Sequence, residues 1–236
     1  MRRALVLSVV ALLALAAAAW AAGSVTLTAD PNTAGAGTVA TLEATPPDSQ
    51  KNPRAVALKV KKGVKFDGRA VAKRCSDAQA QQNSCPAGSR FGGGRIDVTA
   101  TPGGPVEVDV ALYLGRKRKA GDLAGVVGIA TVKATGQKGH AFGRIFKIDE
   151  GKLGLETRFG GLDKALKPPP NIKVHVDHIK LRFGKHRRVN GKRVDLITNP
   201  GKCPSNGWPF AAVVTYPSGP GQTFRGSVDC SPKPTP

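Results

Sequence analysis

Apolar and polar residues alternate with a period of two along most of the chain, the pattern of half-buried β-strands. In residues 24–28, Val25 and Leu27 oppose Ser24, Thr26 and Thr28, and the turn residues Asp30-Pro31-Asn32 follow. Residues 38–42 repeat the pattern, and in residues 55–61 Val56, Leu58 and Val60 oppose Lys59 and Lys61. Residues 95–101 and 106–114 predict two strands around Pro102-Gly103-Gly104-Pro105; the second sets Val106, Val108, Val110, Leu112 and Leu114 against Glu107 and Asp109. Val126-Val127-Gly128-Ile129-Ala130 is apolar on both faces, as a central strand requires. One short helix is expected at residues 76–82, where Ser76 and Gln79 have the spacing of a capping box.

Turn chemistry links these segments. Asp149-Glu150-Gly151 between strands 142–148 and 152–159 suits a three-residue hairpin loop with glycine in the left-handed position. Asn190-Gly191 marks a second, tight hairpin. Between them the alternation changes parity: Ile172, Val174 and Val176 are even, Ile179, Leu181 and Phe183 odd. One face can hold both sets only if an extra residue is inserted, which predicts a β-bulge at Asp177-His178. Segments 194–198, 210–216 and 223–228 complete ten to twelve short strands. That count implies an all-β, antiparallel β-sandwich (Ig-like or jelly-roll-like) with very little helix. A single domain over residues 23–236 is preferred to two smaller ones meeting near Pro102–Pro105 or Pro168–Pro170.

The N-terminus departs from this pattern. Arg2-Arg3, an apolar run from Ala4 to Ala19 and the A-x-A form of Ala19-Trp20-Ala21 are the three parts of a secretory signal, so residues 1–22 are expected to be removed on export. No later stretch is long enough to span a membrane as a helix. In an oxidising compartment Cys75, Cys85, Cys203 and Cys230 are expected to form two disulfides. Three pairings are possible, and the spacing favours Cys75–Cys85 and Cys203–Cys230, each closing a local loop.

Charge alters the functional picture more than composition does. The 236 residues carry 36 Lys+Arg against 16 Asp+Glu, a formal +20, and removal of Arg2 and Arg3 leaves +18. Arg116-Lys117-Arg118-Lys119 is an unbroken basic run, and Lys180, Arg182, Lys185, Arg187, Arg188, Lys192 and Arg193 form a second cluster around a hairpin tip. Such clusters attract an anionic cell-wall polymer or acidic polysaccharide; with aromatics at 5%, nucleic acid is expected to bind only non-specifically. The same cations also guard strand edges against pairing.

The segment Cys85-Pro86-Ala87-Gly88-Ser89-Arg90-Phe91-Gly92 resembles the C-P-x-x-S-x-x-G segment of uncharacterised secreted β-rich proteins of actinobacteria. Gly151-Lys152-Leu153 and Thr198-Asn199-Pro200-Gly201-Lys202-Cys203 agree with it in order. The resemblance implies a secreted, sandwich-like protein and transfers no activity; Ser89 is not implied to be a nucleophile.

Reactive constellations are sparse. His175, Asp177 and His178 are the most ligand-like group, because a bulge could gather two imidazoles and a carboxylate for a metal, or for a hydrolase. Glu107 and Asp109, about 7 Å apart on one strand face, have the separation of a glycosidase pair but alternate with an apolar face. No Walker A, nucleophile-elbow or H-E-x-x-H motif occurs, and no cofactor is implied. The expectation is an exported, non-catalytic protein that adheres electrostatically to anionic polymers.

Overall fold

A computed structural model describes residues 23–46, 53–162 and 173–234. The signal-like segment 1–22 and the Pro168–Pro170 boundary lie outside these residues. The strands are β1 (Ser24–Asp30), β2 (Val39–Thr45), β3 (Ala55–Lys61), β4 (Lys65–Phe66), β5 (Arg90–Thr101), β6 (Gly104–Gly115), β7 (Asp122–Val132) and β8 (Lys138–Glu150). They continue with β9 (Leu153–Gly160), β10 (Lys173–Phe183), β11 (His186–Val189), β12 (Lys192–Asp195), β13 (Ile197–Thr198), β14 (Trp208–Thr215) and β15 (Gln222–Val228). The short helix expected after Ser76 forms as α1 (Asp77–Gln81) with its capping box closed: the Gln79 amide donates to Ser76 Oγ at 3.3 Å, and the Ser76 amide to Gln79 Oε1 at 3.0 Å.

The all-β antiparallel fold read from the alternation is what the chain adopts. Its facing layers are halves of one continuous sheet of eleven strands in the order β1-β2-β10-β5-β6-β7-β8-β9-β3-β14-β15. This sheet curls nearly into a barrel. Every hydrogen-bonded neighbour is antiparallel, and eleven is odd, so β1 and β15 must run the same way where the ends meet. The seam between them is accordingly fastened by a parallel bridge, Thr33 to Ser231, with the Ala34 amide donating to the Ser231 carbonyl at 2.9 Å. The Cys203–Cys230 disulfide sits beside that bridge in sequence and packs with buried Trp208, whose indole N–H donates to the Lys202 carbonyl at 2.9 Å.

The bulge falls where the parity change puts it. β10 pairs with β5 through Val176↔Val98 and then His178↔Asp97, leaving Asp177 as the extra residue. Val174, Val176, Ile179, Leu181 and Phe183 therefore all border the barrel interior. The Asn190-Gly191 hairpin also forms, with both residues at positive φ (51° and 75°) as a two-residue turn between twisted strands requires.

The two-faced apolar run in β7 has two distinct coverings. Val126 packs in the main core with Leu112, Leu114 and Ile145. Val127 and Ile129 point outward, under Cys75 and Ala80 of the segment closed by the Cys75–Cys85 disulfide. That segment is tacked to the sheet by the Cys75 amide, which donates to the Leu114 carbonyl at 2.9 Å. The glycine run 92–94 is strand, not loop. A side chain at Gly94 would meet the Lys180 carbonyl and one at Gly93 the Val110 carbonyl, so glycine lets β10, β5 and β6 close up.

One end of the barrel is plugged. β4 pairs with β13 through Ile197↔Phe66, and the adjoining turn Gly68–Ala70 together with Leu196 carries side chains into the main core. Ala70 and Leu196 are at most 1% exposed. Asn199, from the late motif of the resemblance, ties this plug to the β1–β2 loop, donating to the Pro31 and Thr33 carbonyls at 2.9 and 3.0 Å.

Candidate functional site

Beyond the plug the inward side chains stop short of one another. The space they leave is a partly open lumen of about 320 Å³, running from Phe66, Phe91 and Leu196 at the plug to Thr45, Val174 and Tyr216 at the opposite rim. It exists because many inward positions are small or β-branched: Ala29, Ala40 and Ala44 on β1 and β2, Val56 and Val60 on β3, Ala212 and Val214 on β14. The volume lies within the range of small-molecule sites, and so does the chemistry, a largely apolar wall with few polar groups. Thr157, His175, Asn199 and Tyr216 are among those polar groups, and among the described residues no Asp, Glu, Ser or Cys borders the lumen. Among the described residues the wall therefore holds no pair of carboxylates.

The ligand-like cluster on β10 is divided rather than gathered. His175 Nε2 lies 3.7 Å from Asp177 Oδ1, whereas His178 Nδ1 lies 3.7 Å from Asp97 Oδ2 on β5. Thr99 Oγ1 donates to Asp177 Oδ2 at 2.8 Å, so the bulged carboxylate serves the β5–β10 pairing. No group of three or more His, Cys, Asp or Glu among the described residues is placed to hold a metal ion.

Glu107 is engaged on the outer face by Lys133 at 2.8 Å and Arg95 at 3.1 Å. The Lys133 hydrogen bond, then the Arg95 charge, holds its carboxyl below the usual glutamate value. A glycosidase acid needs the opposite shift. Ser89 is fully buried and donates to the Pro86 carbonyl at 2.6 Å, closing its own turn.

The two basic clusters, distant in sequence, leave the sheet at the same end. β6 ends and β7 begins there (Gly115↔Gly125), as do the start of β5 and the end of β10 (Gly92↔Phe183). This is the plugged end. Not every cation is available. The Arg118 guanidinium stacks 4.3 Å over the Phe142 ring and reaches Asp77 at 3.0 Å, while the Arg118 and Lys119 amides donate to buried Asp122 at 3.1 and 2.8 Å. Lys180 pairs with Glu43 at 2.6 Å and Arg193 with Asp195 at 2.9 Å. Arg116, Lys117 and Lys119, with Arg182, Arg187, Arg188 and Lys192, have no carboxylate partner among the described residues and are exposed.

Sequence reasoning missed the lumen. An alternating strand pattern reports which face is inward, not whether the inward side chains meet. It also missed Arg90, an isolated arginine at the start of β5 that the fold sets beside Arg182 and Lys185. No helix among the described residues is long and apolar enough to cross a membrane. The chain matches no family model, no curated protein and no solved structure, so its fold and surfaces are what speak for its function.

Proposed function

We propose that the chain is an exported, non-catalytic binding protein whose barrel lumen takes up a small apolar molecule or the hydrocarbon part of an amphiphile. The observation that carries this reading is the 320 Å³ apolar lumen, bordered among the described residues by no carboxylate, serine or thiol. An apolar guest replaces missing contacts along the wall at little polar cost. The two disulfides agree with an oxidising, extracellular setting. The test is titration of the purified protein with a fluorescent fatty-acid analogue. Saturable one-to-one binding, competed by unlabelled fatty acid and lost in Ala212→Phe, supports the reading. Signal that does not saturate, or that is indifferent to the lumen substitution, removes it.

A second reading is favoured by the meeting of both basic clusters at the plugged end: adhesion to an anionic wall polymer or acidic polysaccharide. Arg116, Lys117, Arg187, Arg188 and Lys192, which have no carboxylate partner among the described residues, are its principal contributors. Counterion release makes such retention fall steeply with salt. Retention that is flat between low and high salt sinks it. The two readings are compatible, since lumen and cations occupy different parts of the barrel. A hydrolase or metal protein built on His175, Asp177 and His178 draws no support from two imidazoles engaged with separate carboxylates.

A further inference from the structure

The cations at the plugged end are not equivalent. Three of them lie together on a shallow, open patch of the outer wall, bordered by Arg90, Arg182 and Lys185 with Gly92, Gly93 and Gly184. Gly93 is its floor. Arg182 is the direct cross-strand partner of Gly93 and rises from the same outer face of the sheet. The Arg90 guanidinium reaches over that glycine from the other side: its Nη2 is 3.0 Å from where a Cβ at position 93 would stand. Arg90 is held in this pose by its Nε, which donates to the Gly92 carbonyl at 3.3 Å. The Lys185 ammonium is tethered to the Arg90 carbonyl at 3.1 Å, and its chain segment is fixed by the Gly184 amide donating to the Phe91 carbonyl at 2.9 Å. Among the described residues no acidic side chain borders the spot.

We infer that Arg90, Arg182 and Lys185 form a discrete seat for a tetrahedral oxyanion, a phosphate or sulfate ester carried by the polymer. This deepens the adhesion reading above and rests on it for its biological setting. Two guanidinium forks and an ammonium around a bare glycine match the several oxygens of such a group, since a fork donates two parallel N–H bonds where an ammonium is a point charge. A diffuse cationic surface needs none of this. It would not require three cations drawn together from the start of β5, from β10 and from the following loop.

The experiment compares two charge losses of equal size. Inorganic pyrophosphate, inorganic sulfate and glucuronate are titrated at low ionic strength into the full exported chain, read by calorimetry and by backbone amide shifts. The proteins are wild type, the double variant Arg90→Gln/Arg182→Gln, and the double variant Arg187→Gln/Arg188→Gln. The seat predicts one-to-one pyrophosphate binding with shifts concentrated at Gly92, Gly93 and Gly184. It further predicts at least a tenfold loss in the first variant, less than twofold in the second, and glucuronate the weakest of the three anions. Arg182→Lys, which keeps the charge and the fold but loses the fork, should fall between. Equal losses in the two double variants, or shifts spread over both basic clusters, overturn the seat. The adhesion reading fails separately: retention on wall polymer that ignores salt while pyrophosphate still binds one-to-one leaves the seat standing without that setting.

Discussion

The two ends of the barrel are built to opposite rules. At the plugged end, Phe66, Ala70, Leu112, Leu114, Val126, Ile145 and Leu196 pack in one cluster, and Leu114 is fully buried. Outside the same wall the Cys75–Cys85 segment adds a second layer over Val127 and Ile129. Beyond the plug, side chains of similar chemistry face one another across a gap. The difference lies in the size of inward residues and in what crosses the interior. A plug traverses one end, while alanines and valines line the other. Stability is therefore concentrated where the barrel is filled, and open space where it is not.

That contrast can be broken by substitution. Leu114→Ala removes contacts on all sides and should cost roughly 4 kcal/mol in urea unfolding; a cost near 1 kcal/mol would mean that the plugged end is not the stability centre. Replacing Cys203 and Cys230 by Ser releases the seam at β1 and β15, with an expected loss of about 3.5 kcal/mol from loop entropy. Leu58→Ala, on the lumen wall, should cost only roughly 2 kcal/mol, the low end for such a truncation, because its neighbours already border space. Equal costs for Leu58→Ala and Leu114→Ala would erase the contrast. Ala212→Phe sharpens it from the other side: filling the lumen should leave the urea midpoint unchanged or higher while lowering affinity for the fatty-acid analogue at least tenfold.

The smallest expected effect is electrostatic. Glu43 beside Lys180, Glu107 beside Lys133 and Arg95, and Asp149 beside Lys62 are all held below their ordinary values by those hydrogen bonds and charges. A carboxylate whose folded value is depressed favours the folded state above its unfolded value and loses that contribution as pH falls through the folded one. The urea midpoint should therefore be insensitive to these groups near neutrality and decline below about pH 4.5, less so in high salt because the pairs are exposed. A midpoint that rises on acidification would reverse the assignment.

The α1 cap, the Asn190-Gly191 hairpin, the β10 bulge and most strands were legible locally because each is specified by side-chain parity or by a turn residue whose backbone needs are met within a few positions; the β8–β9 hairpin forms where expected, but Asp149 and Glu150 stay in β8 and its loop is Gly151-Lys152, with Gly151 at positive φ. The disulfide pairing followed from loop spacing for the same reason. Charge was legible as a sum but not as a surface. Nothing in the runs 116–119 and 180–193 tells that Arg118, Lys180 and Arg193 are taken up by Asp77, Glu43 and Asp195, or that Arg90 joins Arg182 over Gly93.

Sequence by itself determined the alternation, the bulge, the bridges and the cationic character of this protein, since these depend on residue identity and short-range geometry. Only the tertiary structure decided that the facing layers are one curled sheet with a parallel seam, that one end is plugged and the other hollow, and that two remote basic clusters share an end. Those features depend on strand order and on the distance across the barrel, which no local pattern encodes.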